Sequence, residues 1–500
     1  MGSSVYNFLP VFMVLFPMFM SVVIFWVSRY SERWRNGLAV GTTVVTFLSV
    51  VALYRPMVAG EVIAYNIFDI LPGLGLSVRV DILSFCLALI SSLVWMLVSI
   101  YSIDYMSHEH GTDRYYPIFT FVLGSCLGIF VAGDFFTLFV FFELMSLLSY
   151  VLVIHEETKE ALRAGYKYLI MTIIGGLALF FAIVIVFELA GTVSLNEGTL
   201  VAVPGTMAFL AFINFLIGFG MKAGMFPLHV WLPDAHPVAP SPASALLSGI
   251  MLKTGAYGLL RVIYTVFNIP LIQEARWDII VIVLAVITIL LGSAVALTQE
   301  DLKRRLAYSS VGQMGYIVLG MVIFTERALI GDIFHIFSHA LMKSTLFLAA
   351  GAIIWKTGLR NINDLHGIGK KMPFTMGAFT LAAMAMIGIP PLNGFLSKLN
   401  LGLGALEAGA PIYVFVLLVS SLLNGLYYLP IIIAAFFGEK HDDEEGHASE
   451  VFKMDEATRG MVIPLCLLAL FCLVFGLMPG NIFFELSQQA AAFLFTMGTP

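Results

Sequence analysis

The chain has 500 residues, of which 60% are apolar and 12% are charged, and its formal net charge is −6. Soluble domains contain roughly 45–50% apolar and about 25% charged residues, so this chain lacks the polar side chains that a water-facing surface requires. The composition excludes a soluble enzyme, a disordered chain and a secreted disulfide scaffold. The negative charge gives no support for nucleic-acid binding. We therefore interpret the chain as a polytopic membrane protein.

Apolar runs of membrane-spanning length recur along the whole chain. A helix needs about 20 apolar residues to cross the hydrocarbon of a bilayer. Fourteen stretches approach or exceed that length, at 5–28, 36–54, 79–103, 116–133, 135–154, 163–190, 206–230, 242–266, 278–298, 305–324, 328–355, 374–401, 411–437 and 459–481. The first run is too long for a signal peptide and lacks its positive flank, so we predict a retained span.

Two segments lie outside these spans. The longest polar stretch, 438–458, is predicted to be a solvated loop. The tail at 482–500 is short and partly amphipathic, which favours a position on the membrane surface. No stretch is long enough to fold as a separate soluble domain.

The distribution of lysine and arginine predicts the orientation in the membrane. Loops after odd-numbered spans carry sixteen of these residues, whereas loops after even-numbered spans carry four. Because cytoplasmic loops carry the excess of positive charge, the odd loops are predicted to be cytoplasmic. Both termini then lie on the outer side of a prokaryotic cell membrane.

The cysteines give no sign of a cofactor site. Cys86, Cys126, Cys466 and Cys472 lie in apolar runs without CxxC spacing, so we interpret them as small buried residues. No Rossmann or Walker glycine pattern stands between a strand and a helix. We predict that this chain itself binds no cofactor and no metal.

Five ionisable residues lie at or near the middle of apolar spans. They are Glu143, Lys222, Lys253, Lys343 and Lys398. A charge at that depth costs about 2.5–3.5 kcal/mol or more, so such residues usually line an interior pathway for ions or protons. A buried lysine loses its proton more easily than one in water, and a nearby carboxylate opposes that loss. A glutamate and a lysine that approach and separate therefore switch the lysine between its charged and neutral forms.

Histidines accompany these charges in the eleventh span. His335, His339 and Lys343 follow at four-residue intervals in DIFHIFSHALMKSTLFLAAG, which places them on one helical face. Histidine titrates near neutral pH and relays protons. The same HxxxH spacing occurs in metal sites, but a third ligand nearby and the glutamate of an HExxH motif are missing from the sequence. The pattern favours proton handling.

Two spans contain prolines and glycines near their centres. The segment GFGMKAGMFPLHVWLPDAHPVAPSPAS at 218–244 places Lys222 near Pro227, and MIGIPPLNGFLSKLN at 386–400 places Lys398 after two prolines. Broken helices inside a membrane are tolerated where the freed backbone faces protein or water. The seventh and twelfth spans are five apart, and this spacing predicts two inverted five-helix repeats, helices 4–8 and 9–13.

The predicted fold is therefore an all-α membrane protein of about fourteen transmembrane helices, with helices 7 and 12 broken. We divide it into N-terminal helices 1–3 at 1–115, a first repeat at 116–266, a second repeat at 278–437, and a C-terminal part at 438–500.

Several motifs resemble those of one family, the antiporter-like subunits of respiratory complex I, Mrp cation/proton antiporters and membrane-bound hydrogenases. The segments are FFELMSLLSY at 141–150, PLHVWLPDAHPVAPSPASALLSGIMLKTGAYGLLR at 227–261, AYSSVGQMGY at 307–316, FHIFSHALMKSTLFLAAG at 334–351 and GIPPLNGFLSK at 388–398. The resemblance extends over about residues 80–440, and the segment at 227–261 is its longest and most specific part.

The resemblance implies roles for individual residues. The family's functional positions fall on Glu143 in helix 5, Lys222 in helix 7, Lys253 in helix 8, His335 and His339 in helix 11, and Lys398 in helix 12. It also implies that Glu143 and Lys222 pair, and that half-channels reach a central hydrophilic axis from both sides of the membrane. The sequences of these motifs are most similar to those of the hydrogenase- and Mrp-related branch of the family. Membership of an Mrp antiporter itself, or of complex I proper, stays an open alternative.

Other polar residues receive weaker interpretations. Arg261 and Lys167 lie near helix ends and are expected to extend to the membrane interface. For His229 and His236, a place at the mouth of a proton path and a helix-capping role stay open. Asp234 is interpreted as a turn residue.

Four acidic residues complete this group. Asp134 begins the fifth span and is expected at a helix N-terminus. Asp332 shares the face of His335, and we leave open whether it tunes that histidine or begins the helix. Glu188 and Glu407 lie near span ends and are expected to be exposed to water.

The sequence thus predicts an ion-translocating subunit of a multisubunit respiratory or antiporter complex, which moves H⁺ and possibly Na⁺. Its expected partners are other membrane subunits, with a redox peripheral arm if the complex is of the hydrogenase or complex I type. One alternative is a non-conducting structural subunit at a quinone- or lipid-lined interface. Another is an autonomous secondary transporter.

Overall fold

The computed structural model describes residues 2–71, 74–196, 198–438, 454–478 and 480–499, without the side chains of residues 2–7 and 71. The described chain is mostly helical. The α-helices are α1 Gly2–Val27, α2 Glu32–Val51, α3 Tyr54–Val58, α4 Ile82–Tyr105, α5 Thr112–Phe130, α6 Phe135–Val153, α7 Lys159–Ala190, α8 Thr206–Ala223, α9 Leu232–Val238, α10 Ser241–Leu246, α11 Leu252–Arg261, α12 Ile269–Glu274, α13 Trp277–Leu297, α14 Leu302–Gly320, α15 Glu326–Thr357, α16 Ile368–Lys371, α17 Pro373–Ile387, α18 Asn393–Glu407, α19 Pro411–Phe437, α20 Arg459–Leu477 and α21 Ile482–Gly498.

Helices occupy all the predicted spans, and the chain is a multi-pass membrane protein. Within the described residues, eleven helical segments are long and apolar enough to cross a membrane. The total of fourteen spans, the inverted repeats and the four-part division stay predictions. Most of the polar loop predicted at 438–458 lies outside the described residues. Within the predicted tail, Ile482–Gly498 form α21, which packs against α4 and α15.

Short polar side chains begin many of these helices. Asp134 precedes α6 and accepts a hydrogen bond of 2.7 Å from the backbone N–H of Thr137, which confirms its predicted place at a helix N-terminus. The same type of cap is made by Ser31, Asp81, Thr158, Asp301 and Thr325. Since the first turn of a helix leaves backbone N–H groups without intrahelical partners, these caps satisfy donors close to an apolar environment.

A small β-hairpin between α3 and α4 was not predicted from the sequence. Strands β1 (Ile63–Leu71) and β2 (Leu74–Val80) pair in antiparallel register. The backbone N–H of Ser77 donates to the hydroxyl of Thr137 at 3.0 Å, which joins β2 to the start of α6. The hairpin thus covers one end of the bundle.

Two helices are interrupted where the sequence predicted breaks. Helix α8 ends at Gly224, whose φ is +70°, and a 3₁₀ turn leads into α9. Helix α17 ends at Gly388, whose φ is +94°, before α18 begins at Asn393. Glycine adopts this left-handed conformation without the strain of a Cβ, so each break has a local cause.

Helix α15 lies at the centre of the molecule. It has 32 residues and packs against α10, α14, α17, α18, α20 and α21. Its side chains from Gly331 to Ile353 are buried without interruption. The polar residues of this helix therefore face protein.

Candidate functional site

The side chains of Lys253 and His339 form the central contact of the site. Lys253 lies on α11 and is 1% exposed, and its amino nitrogen is 2.7 Å from Nδ1 of His339 on α15. The same amino group donates to the backbone carbonyl of Ser248 at 2.7 Å. Ser248 lies in a π-helical turn, Leu247–Met251, directly before α11. Both hydrogen-bond partners of this lysine are thus neutral groups.

The two histidines of α15 continue from that contact. The imidazole rings of His335 and His339 stack with centroids 6.0 Å apart. Nδ1 of His335 lies 2.9 Å from the hydroxyl of Ser397 on α18. The Nε2 atoms of both histidines are buried without a hydrogen-bond partner among the described residues. The two histidines share one helical face, as predicted, and their contacts link α11 to the second broken helix.

Lys398 follows Ser397 and reaches back across the break between α17 and α18. Its amino group donates to the carbonyls of Met386 at 2.7 Å and Ile387 at 3.2 Å, and to the hydroxyl of Ser421 at 3.1 Å. These carbonyls belong to the end of α17, where backbone acceptors lack intrahelical donors and the helix dipole is negative. The broken helix therefore supplies a favourable environment for an ammonium group without a carboxylate.

Lys343 lies one helical turn beyond His339 on the same face of α15, and its amino group bonds to α14 and not to the histidines. Its amino group donates to the carbonyl of Leu306 at 2.9 Å and to the hydroxyl of Ser309, both on α14. The hydroxyl of Tyr428 on α19 lies 3.5 Å away. This lysine is fully buried, and each of these three partners is neutral.

Glu143 and Lys222 do not form the direct ion pair that the sequence led us to expect. The amino group of Lys222 instead donates to the hydroxyl of Tyr168 at 2.6 Å, and Glu143 Oε1 has no hydrogen-bond partner among the described residues. The hydroxyl of Tyr168 also lies 2.6 Å from that of Ser149. Lys222 is fully buried, whereas Glu143 is half-buried at the α6–α7 contact. The hydroxyl of Tyr168 is thus the partner of Lys222, where the carboxylate of Glu143 was expected.

Tyr168 and Gly176 on α7 were missed by the sequence analysis. A Cβ atom at Gly176 would collide with the carboxyl group of Glu143, so the glycine makes space for that side chain. A tyrosine and a glycine in an apolar helix resemble ordinary packing residues. Only the fold brings them to the polar groups, and no local sequence signal identified them.

The structure corrects the interpretation of Arg261. This arginine is fully buried, and its guanidinium donates to Asp81 at 2.6 Å and to the hydroxyl of Ser84 at 3.0 Å. Arg79 lies 3.2 Å from the other carboxylate oxygen of Asp81. We name Arg79, Asp81 and Arg261 the arginine cluster. Arg261 was expected to extend to the interface because the sequence does not show that Asp81, far away in the chain, supplies a buried partner.

Lys167 and Asp234 meet at the end of the bundle. Lys167 contacts Asp234 at 2.8 Å, and Arg304 contacts the second carboxylate oxygen at 3.2 Å. Lys167 is partly exposed, and its expected reach to the membrane interface stays a prediction. Asp234 lies within α9, so its interpretation as a turn residue is wrong: the aspartate connects α7 and α14 to the broken helix.

The remaining weaker predictions divide between exposed and buried sites. Glu188 and Glu407 are exposed, as expected. His236 is fully buried, stacks on Phe347 with centroids 4.6 Å apart, and has no partner for either ring nitrogen among the described residues. His229 lies in the 3₁₀ turn before α9. Asp332 is fully buried seven residues into α15, which excludes a helix-start role.

A cavity of about 570 Å³ opens near the C-terminal end of α15. Its lining includes Glu109, Glu156 and Lys303. Ligand atoms of Glu109, His110 and Glu156 lie within 4.8 Å of one another. Burial, and then the charge of Glu156, raise the pKa of Glu109. The cavity therefore brings ionisable groups close to the broken segment, where Lys303 donates to the carbonyl of Ala239 at 2.6 Å.

The neutral partners of the buried lysines favour the transfer of protons over the permanent retention of positive charge. Three buried lysines are held by carbonyl, hydroxyl and imidazole groups, namely Lys253, Lys343 and Lys222. A lysine with neutral partners loses its proton without leaving an unpaired anion beside it. The Lys253–His339 contact joins a donor to an acceptor that titrates near neutral pH. No hydrogen bond joins Lys222 to Lys253 among the described residues.

Comparisons with known proteins identify the same region. The family described as "NADH:quinone oxidoreductase/Mrp antiporter, TM" matches residues 132–424, more than half of the chain. The family described as "NADH-Ubiquinone oxidoreductase (complex I), chain 5 N-terminus" matches residues 73–116.

Full-length relatives show the same likeness. The chain is 35% identical to the N subunit of the NADH-quinone oxidoreductase of Desulforudis audaxviator, over 96% of this chain and 98% of the relative. It is 31% identical to a Na⁺/H⁺ antiporter subunit of Alkalihalophilus pseudofirmus, over 83% of each chain. A chain of the Mrp complex from Dietzia superimposes with a TM-score of 0.88 at 25% identity, over 98% of both chains.

Proposed function

Since this chain belongs to the family of NADH:quinone oxidoreductase and Mrp antiporter transmembrane subunits, we propose that it translocates protons as one subunit of a multisubunit membrane complex. The contact between Lys253 and His339 carries this proposal. It is the point where a buried lysine bonds directly to a group able to accept its proton. Relatives of both the complex I and the Mrp types support the assignment, and the choice of branch stays a prediction.

The proposed path runs along α11 and α15 to the second broken helix. Lys253 gives its proton to Nδ1 of His339, which leaves a neutral amine bonded to the Ser248 carbonyl. His339 passes a proton to His335, whose Nδ1 lies beside Ser397. The hydroxyl of Ser397 leads to Lys398 on the same helix. Each step joins groups that both donate and accept protons, as a relay requires.

The first broken helix is proposed to control entry to this path. Lys222 keeps its proton more firmly when Glu143 approaches it and less firmly when the two separate. The hydrogen bond from Lys222 to Tyr168 represents the separated arrangement. Small movements of α7 against α8 therefore change the proton affinity of Lys222. The cavity lined by Glu109, Glu156 and Lys303 is proposed as the cytoplasmic entrance.

The energy for transport is proposed to come from partner subunits. The two relatives are named as subunits of a quinone oxidoreductase and of a Na⁺/H⁺ antiporter. In a complex of the oxidoreductase type, a redox peripheral arm is proposed to supply the energy. In a complex of the antiporter type, an ion gradient is proposed to supply it. We further propose a prokaryotic cell membrane as the location, with both termini on the outer side, because of the charge bias between loops.

A second candidate function is the exchange of Na⁺ for H⁺. The 31% identity to a Na⁺/H⁺ antiporter subunit of Alkalihalophilus pseudofirmus favours it, because the name of that relative states this exchange. A purely structural subunit at a quinone- or lipid-lined interface is not favoured, because a scaffold has no use for three buried lysines that have only neutral partners, one of them a histidine.

The test is ion movement by the purified native complex in sealed vesicles, with separate proton and sodium readouts, for the natural chain and for Lys222→Ala. We expect proton movement that needs no sodium and fails in the variant. Lys356→Ala is the matched control, since this lysine pairs with Asp455 outside the buried axis. Transport that requires a sodium gradient establishes exchange, and unchanged transport in Lys222→Ala contradicts both functions.

A further inference from the structure

The facing surfaces of α14 and α15 form a polar seam through the protein. The two helices run antiparallel: Lys343 meets Ser309, the ring of His335 lies 5.6 Å from that of Tyr316, and Asp332 packs against Gly320. On α14, positions 309, 313, 316 and 320 share one face. On α15, positions 332, 335, 339 and 343 do so. We name these two facing rows the α14–α15 seam.

Buried polar atoms without partners are concentrated in this seam. The contacts above and below it place Gln313 opposite His339, and both amide atoms of Gln313 lack a hydrogen-bond partner among the described residues. The Nε2 atoms of His335 and His339 are also without a partner in the described chain. Most buried polar groups in proteins are hydrogen-bonded. Such a concentration therefore points to a passage for water or protons.

Asp332 ends the row of polar residues at the side where α15 begins. Its side chain is fully buried, and neither carboxyl oxygen has a hydrogen-bond partner among the described residues. A Cβ atom at Gly320 would lie 2.8 Å from Cβ and Oδ1 of Asp332, and the backbone of α18 approaches the preceding residue, Gly331. The carboxyl group is thus enclosed by α14, α15 and α18.

An ionised carboxylate at this position is expensive, because burial without a partner removes its hydration. In the arginine cluster, two guanidinium groups pair with one aspartate and so compensate its buried charge. Asp332 has no such pairing in the described chain. It is, however, three residues from His335 on the same helical face, where side chains are neighbours. Because both carboxyl oxygens of Asp332 and Nε2 of His335 are without a direct partner in the described chain, a proton that passes between the two groups needs a bridging water or a side-chain rotation.

We propose that Asp332 is a proton-binding residue of an outlet that leaves the axis at His335 and follows the α14–α15 seam. The neutral Asp332 carboxylic acid first releases its proton to water at the start of α15. The carboxylate then takes one proton from a protonated His335, which yields a neutral imidazole and restores the neutral carboxylic acid. Glu326 marks the start of α15, about 9 Å farther along the helix at 1.5 Å per residue.

This outlet makes His335 a branch point. One branch leads through Ser397 to Lys398, and the other leads through Asp332 to the side of the membrane that the charge bias predicts to be the outer one. The inference rests on the proposed function, since an outlet requires a conducting axis. It adds a release residue that lies outside both broken helices.

Asp332→Asn provides the test, because it keeps the size of the side chain and removes the exchangeable carboxyl proton. Proton movement is measured with the assembled complex in sealed vesicles, beside Asp332→Glu, Glu326→Gln and Lys253→Ala. We expect Asp332→Asn to lose at least about tenfold in rate, less than the about 10²–10⁴-fold of a positioned proton-transfer group because the branch through Lys398 stays open. Asp332→Glu should restore part of it. Glu326→Gln removes an exposed carboxyl at the same end of the helix and should transport normally.

Chemical modification of the natural chain is a second test, which applies even if the Asp332→Asn complex does not assemble. Membrane-permeant carbodiimides add to protonated buried carboxyl groups, so Asp332 should be modified in the native complex and transport should stop. Peptide mapping identifies the modified residue. An unmodified Asp332, or full transport in assembled Asp332→Asn, overturns the outlet. If Lys253→Ala also transports normally, the proposed function itself fails, so the two failures are distinguishable.

Discussion

Two groups of buried ionisable residues in this chain are stabilised away from water in different ways. In the arginine cluster, Asp81 lies between Arg261 and Arg79 at 2.6 and 3.2 Å. In the axis, Lys253 meets a carbonyl and an imidazole, both at 2.7 Å. The first group is held by opposite charge, whereas the second has only neutral partners. Burial of charge alone therefore does not identify a proton path, and the nature of the partners does.

The difference predicts different consequences of mutation. A charge pair in a protein interior stabilises the fold only while both partners are present, and removal of one leaves an uncompensated charge. A lysine with neutral partners is removed without that penalty. Mutations in the arginine cluster should therefore reduce folding or assembly, and mutations in the axis should reduce transport by a complex that assembles.

The largest effect on transport is expected for Lys253→Ala. The substitution removes the donor of the contact with His339, and a positioned proton-transfer group contributes about 10²–10⁴-fold in rate. Proton movement in sealed vesicles should fall by about 10²-fold or more, with the amount of assembled complex unchanged. An exposed-lysine control, Lys356→Ala, should transport like the natural chain. Equal rates for the two variants would remove the axis from the mechanism.

Asp81→Asn should have the largest effect on stability. It leaves two buried guanidinium groups without a carboxylate, and loss of one partner of a buried pair costs about 3–5 kcal/mol. Thermal unfolding of the purified complex should shift to lower temperature and its yield should fall. Transport per assembled complex should stay close to normal. A selective loss of transport at normal stability would assign the arginine cluster to the path instead.

Tyr168→Phe sharpens the comparison at the first broken helix. The change removes the hydroxyl that accepts the 2.6 Å hydrogen bond from Lys222. A hydrogen bond to a charged group is worth about 1.5–3 kcal/mol, so transport should fall by about tenfold or more. Tyr166→Phe on the same helix, at an exposed tyrosine, is the matched control. Identical rates in the two variants would show that Tyr168 has only a packing role.

Gly176→Ala should have a smaller effect of the same kind. The added methyl group meets the carboxyl group of Glu143 and displaces it from α7. We expect a reduction of a few-fold in transport, measured in the same vesicles. Gly377→Ala is the control, because a Cβ there meets nothing within 4 Å. A normal rate in Gly176→Ala would mean that the position of Glu143 is not critical.

The sequence predicted features that depend on local composition. Helical spans, breaks within 218–244 and 386–400, and the row of His335, His339 and Lys343 follow from apolar length, breaker residues and helical periodicity. Features that depend on distant residues were not predictable. The Asp81–Arg261 pair is separated by 180 positions, and Tyr168 approaches Lys222 across 54. The hairpin β1–β2 was missed because its short strands lie between much longer apolar runs.

The central claim is that Lys253 works by releasing its proton, and Lys253→Arg tests this most directly. Arginine keeps the positive charge and much of the length, but it is not deprotonated in proteins. Proton movement by the assembled complex in sealed vesicles should therefore be as low for Lys253→Arg as for Lys253→Ala. Transport near the natural rate in Lys253→Arg would contradict the account, because a fixed charge would then be sufficient.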